Sequence, residues 1–467
     1  MKNIDKIKKI INNKYFMFFL CFTAFFVSVY SKDIIMNSGD ASETIKVVES
    51  FFGKNIYCSY IMYKGIYAFL PGIACYFLSK ITGVSMYFFW KILKSLAFAY
   101  LATIGVPFLF EKIFKNPVKV WQKYLFAIVL FILERCVFYL ISVDLTSCLF
   151  LVLALNQTIK LSEKYSHKLC FITGLIFGIE TGLSGQFSIS VYILIIYLLI
   201  QLIKKTRKNL KKMGLVVIIF ALGFCITKSA DIAFEKLVVN NFRENGEWLP
   251  TKSDWFNHGL SFHMTFITYP ANLEDKLSLA IAKNDNEDYY NFIVNGSDIY
   301  TLRHYVKMII KHPVSFVIRW TERLFLGLVN DPINSFGIKS GPIYFVVSFM
   351  GVCLYSLIYY LKKYTKKLKD LLSFPAFVLY SVLFSAFVPS FGHVENRYYF
   401  SARVILIGVL LLSPLLPNYL KKFKDKKVKF TNINMDFITC LIFVIICLVA
   451  YCALYQNMSD IILQNNF

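Results

Sequence analysis

Lys14-Tyr15-Phe16-Met17-Phe18-Phe19-Leu20-Cys21-Phe22-Thr23-Ala24-Phe25-Phe26-Val27-Ser28-Val29-Tyr30 carries no charge after its first residue. As a helix it is long enough to cross a hydrocarbon core, which takes roughly 17 to 25 residues. Lys2, Lys6, Lys8 and Lys9 precede it, and Asn37-Ser38-Gly39-Asp40-Ala41-Ser42-Glu43 follows it. No small-residue cleavage pattern follows this long aromatic stretch, so it reads as an uncleaved anchor and not as a signal peptide. Asp40, just beyond the anchor, is a carboxylate that could act at a bilayer surface.

The same pattern recurs along all 467 residues. Hydrophobic residues make up 57% of the chain, with 47 Phe and 30 Tyr, and the mean hydropathy is +0.56. These values lie well above those of a soluble globular domain and indicate an all-α polytopic membrane protein. Membrane-length apolar stretches read at 14–30, 86–110, 121–142, 145–160, 169–183, 187–203, 213–231, 342–361, 371–389, 398–417 and 436–455. About eleven transmembrane helices are therefore expected.

Basic residues cluster between these stretches. Lys112, Lys115, Lys119 and Lys123 follow the second, and six Lys or Arg at 204–212 follow the sixth. Lys362 to Lys369 and Lys421 to Lys429 mark two further basic loops. Because short basic loops are retained in the cytoplasm, the N-terminus is expected inside and the C-terminus outside the cell membrane. The net charge of +23 is parcelled out in this way and not gathered on one face, which argues against nucleic acid as a partner. Residues 231–310 differ, with eleven acidic against seven basic side chains, and are expected outside. Of the eleven cysteines, Cys21, Cys136, Cys148, Cys225, Cys353, Cys440, Cys447 and Cys452 lie within apolar stretches, where Cys behaves as a small hydrophobe.

Three modules follow. Residues 1–230 form an N-terminal membrane module with an outer loop at 31–85. Residues 231–341 form a large outer loop ending in an interfacial helix, and 342–467 supply the C-terminal membrane helices. Within the first outer loop, Ile45, Val48, Phe51 and Phe52 recur at helical spacing, predicting an amphipathic surface helix that stops at Gly53. Ile66 to Leu78 is apolar but interrupted by Pro71-Gly72, which predicts a re-entrant or interfacial hairpin. In the second, Pro313 opens a segment with basic and apolar faces suited to a lipid interface.

Charged groups at membrane depth are costly and mark pairing or function. Asp144, between the third and fourth stretches, is a second carboxylate that could divide base and phosphate-orienting tasks with Asp40. A helix cap is the alternative for Asp144, within Val143-Asp144-Leu145-Thr146. Glu134-Arg135, deeper in the third stretch, reads as part of a buried structural ion pair with another helix, the alternative being a substrate role. Arg397 and Arg403, with Tyr398 and Tyr399 between them, suit a phosphate and an isoprenoid or sugar face, or else an aromatic belt with snorkelling arginines. Glu43, Glu180, Tyr398 and His258 are further candidates for the same outer cavity. His258 and His263 lack a third ligand in sequence, so no metal site is read there.

Taken together, Gly39-Asp40-Ala41-Ser42-Glu43-Thr44, Val47 to Lys54, Leu70-Pro71-Gly72 and Thr82-Gly83-Val84-Ser85 resemble the opening of the GT-C class of membrane glycosyltransferases. The resemblance is to its protein O-mannosyltransferase and aminoarabinose-transferase-like branch. Asp144, Gly174 to Gly178, His312-Pro313 with Arg319, and Asn396-Arg397-Tyr398 resemble its later landmarks. Ala41 stands where that class has a second acidic residue, and Thr44 where it has tyrosine.

The resemblance implies a GT-C-like fold that transfers a sugar from a polyprenyl-phosphate donor to an envelope glycan, lipid or protein acceptor on the outer face. Asp40 and Asp144 would be the catalytic carboxylates, and Arg397 and Arg403 the donor phosphate contacts. No cofactor is required, though a divalent cation is admissible. A transporter or flippase of lipid-linked intermediates is the alternative from another class, and an envelope glycan polymerase or ligase is the alternative enzyme.

Overall fold

The computed structural model describes residues 10, 12–30, 39–51, 65–139, 141, 143–164, 166–183, 185–206, 210–244, 302–329, 343–367, 370, 373–390, 396–424 and 435–464. Among these residues the chain is helical almost throughout and contains no strand. The first helices are α1 (Lys14–Tyr30), α2 (Gly39–Ser50), α3 (Leu70–Thr82), α4 (Met86–Phe114) and α5 (Val120–Tyr139). They are followed by α6 (Asp144–Glu163), α7 (His167–Leu183), α8 (Gly185–Thr206) and α9 (Leu210–Glu244). Further on come α10 (Leu302–Lys311), α11 (Pro313–Val329), α12 (Ile343–Tyr364), α13 (Phe374–Ser390), α14 (Phe400–Leu411), α15 (Leu415–Lys424) and α16 (Met435–Gln464).

Every apolar stretch read from the sequence overlaps one of these helices. Among the described residues, five segments are long and apolar enough to cross a membrane: Met86–Phe114, Asp144–Glu163, Gly214–Lys236, Tyr344–Tyr364 and Phe400–Asn418. Lys14–Tyr30, Val191–Leu202, Pro375–Phe387 and Ile438–Leu454 are apolar but shorter. The chain is thus an all-α, membrane-type protein.

Local chemistry corrects three boundaries. Pro71 does not break the apolar segment into a hairpin; it sits in the first turn of the single helix α3, where its missing N–H has no partner to lose. That helix stops at Gly83, whose φ of 71° is left-handed. The amphipathic helix α2 ends at Ser50, short of Gly53. Finally, α9 does not end at residue 231 but continues to Glu244, with no Gly or Pro between Gly223 and Gly246 to stop it.

One long helix carries a defect with an identifiable cause. Within α4, Leu101–Gly105 forms a π turn that ends two residues before Pro107. Proline cannot donate into the helical ladder, and the wider turn accommodates it. Asn156 on α6 donates its Nδ2 to the Gly105 carbonyl at 3.0 Å, so the irregular turn is bonded from a neighbouring helix.

The chain divides into two compact units. The first comprises Met1–Leu249, Lys363–Val382 and Leu411–Pro414; the second comprises Pro250–Lys362, Leu383–Leu410 and Leu415–Phe467. In the first unit, Phe25 of α1 stacks on Phe98 of α4 with centroids 4.4 Å apart and meets the edge of Phe138 of α5 at 4.9 Å. These contacts bind three helices through aromatic area and quadrupole geometry.

Helices α7 and α9 instead pack backbone to backbone. A Cβ at Gly174 or Gly178 would collide with the Phe220 carbonyl or the Thr227 hydroxyl, and one at Gly223 with the Phe171 carbonyl. This small-residue stripe at four-residue spacing lets two membrane helices approach closely, where van der Waals contact is the main attraction available.

Candidate functional site

The first unit gathers the elements on which the carboxylate candidates lie. Val47 and Val48 of α2 are fully buried and join Ala68, Phe69, Trp90 and Ile141 in one apolar cluster, with Val143 packed against it. Helix α2, which carries Asp40 as its second residue, therefore shares a core with the turn that leads into Asp144. The side chains of Asp40 and Glu43 lie outside the described residues, as do Arg397's side chain and the whole of His258.

Asp144 is the first residue of α6 and is 5% exposed. It is not the cap: Val143 occupies that position and makes no side-chain cap bond. A carboxylate in the first turn complements the positive end of the helix dipole, which helps hold a charge in this buried place. Lys94 of α4 is also buried. Its ammonium donates to the Phe138 carbonyl at 3.1 Å and the Val137 carbonyl at 3.4 Å, in the last turn of α5. A cation on those terminal carbonyls closes α5 just before the chain turns toward Asp144. Glu134, buried as expected for a structural group, marks a non-helical kink in α5 with φ −109° and ψ 16°.

A tight turn at Gly65 docks the same region onto α9. The Ile66 amide donates to Asp231 Oδ1 at 3.1 Å, and the Tyr67 phenol donates to the Thr227 carbonyl at 2.5 Å. Gly65 has φ 71°, and a Cβ there would stand 2.5 Å from Asp231 Oδ1. Burial, and secondarily the Asp231 charge, push the Tyr67 phenol above its ordinary pKa, so it stays a donor at neutral pH. Gly182 of α7 leaves room for the Tyr67 ring, which a Cβ there would strike.

Two residues before Gly182, Glu180 is fully buried, and neither carboxylate oxygen has a hydrogen-bond partner among the described residues. A buried polar group in that state is costly and calls for an explanation.

The second unit brings the phosphate candidates into a different setting from an exposed belt. Arg403 is 1% exposed, and its Nη1 donates to the Gly327 carbonyl of α11 at 3.3 Å. Arg323, one turn earlier on α11, is also 1% exposed. Both guanidiniums lie within electrostatic reach of the Tyr399 hydroxyl, which is buried and has no hydrogen-bond partner among the described residues. The Tyr399 ring lies across Gly327, where any Cβ would collide with it. Tyr398, its neighbour, is half-buried. The snorkelling reading therefore does not hold for Arg403: its head is enclosed, where charge is uncommon without partners.

Lys94, Asp231 and Arg323 were not singled out by sequence reasoning. Lys94 interrupts an apolar stretch and Asp231 ends one, the same signal that marks Asp144, whereas Arg323 lies in the segment after Pro313, where a basic residue reads as interfacial. Among the described residues, no group of three or more His, Cys, Asp or Glu side chains is placed to hold a metal ion. Comparison with protein-family models, with curated proteins and with solved structures found no match.

Proposed function

We propose that the protein is a membrane glycosyltransferase of GT-C type, with about eleven crossings and a cytoplasmic N-terminus. It takes a sugar from a polyprenyl-phosphate donor and passes it to an envelope glycan, lipid or protein acceptor on the outer face. The observation that carries this reading is the enclosed pair Arg323 and Arg403 beside the partnerless Tyr399 hydroxyl. Guanidinium forks and a phenol O–H can all donate to phosphate oxygens, and their burial puts them where a charge-assisted hydrogen bond is strong.

The chemistry assigns each group a task. An acceptor hydroxyl oxygen attacks the anomeric carbon, its proton passes to a carboxylate, and the bond from that carbon to the donor phosphate oxygen breaks. Asp40 is the base or acceptor-orienting carboxylate, and Asp144 assists it. Arg403, with Arg323 and with Arg397 at the start of the same segment, stabilises the negative charge that collects on the departing polyprenyl phosphate. The apolar helices accommodate the polyprenyl chain.

Mass spectrometry of envelope glycans tests this reading in cells carrying the wild-type chain, Asp40→Asn or Arg403→Met, with membrane expression matched. Loss of one sugar substituent in both variants supports transfer, and the missing mass names the sugar. Glycans that survive both substitutions but change on deletion of the chain exclude this mechanism. They favour transport of a lipid-linked intermediate, the second reading, which the partnerless Glu180 carboxylate supports.

A further inference from the structure

Helices α10 and α11 present a stripe that nothing among the described residues of their unit covers. Val306, Ile310, Val314 and Ile318 follow one another at four-residue spacing and are 43%, 72%, 71% and 52% exposed, with Val317 at 55% beside them. Val306 and Ile310 share one side of α10, and Val314 and Ile318 share one side of α11, which Pro313 restarts after His312. Apolar side chains this exposed are not facing water by default when they are contiguous.

A second stripe runs beside the first. Arg303, Lys307 and Lys311 also recur at four-residue spacing on α10, and all three are exposed. On a helical projection, Lys307 and Lys311 each follow an apolar stripe residue, Val306 and Ile310, by one position, so cationic and apolar rows lie about 100° apart. This is unlike the exposed face of α16, where Ile438, Leu441, Ile442, Ile445, Ile446 and Val449 are exposed with no basic residue among them. An entirely apolar face suits the acyl interior of a bilayer. An apolar row edged by a cationic row suits the boundary between acyl chains and headgroups.

We propose that α10 and the first turns of α11 lie in the membrane interface and bind anionic phospholipid. Val306, Ile310, Val314 and Ile318 enter the acyl boundary, while Arg303, Lys307 and Lys311 contact headgroup phosphates. The occupant follows from charge complementarity: three cations in a row attract anionic lipid, each contributing a several-fold preference near the surface. This surface is separate from the enclosed Arg323 and Arg403 pair and does not depend on glycosyl transfer.

The full-length chain, reconstituted in vesicles of roughly three parts phosphatidylcholine to one part phosphatidylglycerol, carries a benzophenone side chain at Ile310 or, as the reference, at Ile446. After irradiation, mass spectrometry identifies the adducts. The expected result is lipid adducts at both positions, with phosphatidylglycerol enriched about fivefold at Ile310 over its share at Ile446. The triple substitution Arg303→Gln, Lys307→Gln, Lys311→Gln brings that enrichment to the reference value. The charge-conserving set Arg303→Lys, Lys307→Arg, Lys311→Arg retains it. Adducts at Ile310 to a second copy of the chain or another protein, an absence of lipid adducts there, or phosphatidylglycerol at its reference share in the unsubstituted chain each overturn the proposal. So does enrichment that survives neutralisation of the three cations.

Discussion

The Tyr67 phenol donates a 2.5 Å hydrogen bond to the Thr227 carbonyl, joining residues 160 positions apart in the chain. One residue before Tyr67, the Ile66 amide donates to Asp231, a turn further along the same helix. The turn after Gly65 is thereby fastened to α9 at two points, and the next two residues, Ala68 and Phe69, join the apolar cluster that α2 shares with the turn into Asp144.

Loosening this attachment should be measurable in purified protein. Asp231→Ala leaves the Ile66 amide without its acceptor and is expected to cost about 1–3 kcal/mol. Asp231→Asn keeps an acceptor and should cost clearly less. Gly65→Ala must adopt a left-handed backbone and displace the Asp231 carboxylate, so it should lower the thermal midpoint more than Asp231→Asn does. Thermal unfolding in detergent, followed by size-exclusion chromatography, ranks the three.

The close crossing of α7 and α9 gives a second expectation. Gly178→Val places a side chain where the Thr227 hydroxyl and Phe224 carbonyl already lie, and overpacking of this kind costs about 1–3 kcal/mol or more. Gly214→Val, on the same α9, meets nothing within 4 Å and serves as the control. Monodisperse yield should fall for the first and be retained for the second. Equal yields would mean the helices do not approach as closely as described.

Tyr399 separates structural from ligand roles in the second unit. Its hydroxyl has no hydrogen-bond partner among the described residues, so Tyr399→Phe should change stability by no more than about 0.5 kcal/mol. If the hydroxyl serves the donor phosphate, the same variant should lose sugar transfer by roughly tenfold, the effect of one hydrogen bond to a charged group. A large drop in stability would instead assign the hydroxyl a partner within the protein.

Glu180 offers the opposite contrast. An apolar residue of similar size removes two buried oxygens that have no partner among the described residues, and replacing such groups is neutral or stabilising by about 1–3 kcal/mol. Glu180→Met is therefore expected to keep or raise the thermal midpoint. Loss of the cellular phenotype in that stable variant would give the carboxylate a part in function, whereas loss of folded protein would give it a structural partner.

Sequence alone carried much of this architecture, for reasons that are local. An apolar run of membrane length must satisfy its backbone internally and so must be a helix, whichever neighbours it has. This is why α1, α4, α6, α12 and α16 lie where their hydrophobicity places them. Proline and glycine chemistry was legible too, but only with its position: Pro71 reads as a break until it is seen in the first turn of α3.

Burial and partnership were not legible, because they depend on which helix faces which. Arg403 reads in sequence as a phosphate contact or else a snorkelling interfacial residue, both on an exposed face, yet it is enclosed, and Gly327, 76 positions away, supplies a carbonyl that receives it. Gly174 and Gly178 resemble a family landmark in sequence, while packing gives them a mechanical reason, the backbone approach of α9. Hydrophobic length determined that this chain is a helical membrane protein. Only tertiary structure decided that Asp231 receives the Ile66 amide, that Lys94 closes α5, and that Arg323 and Arg403 flank no solvent, since each depends on contacts between segments far apart in the chain.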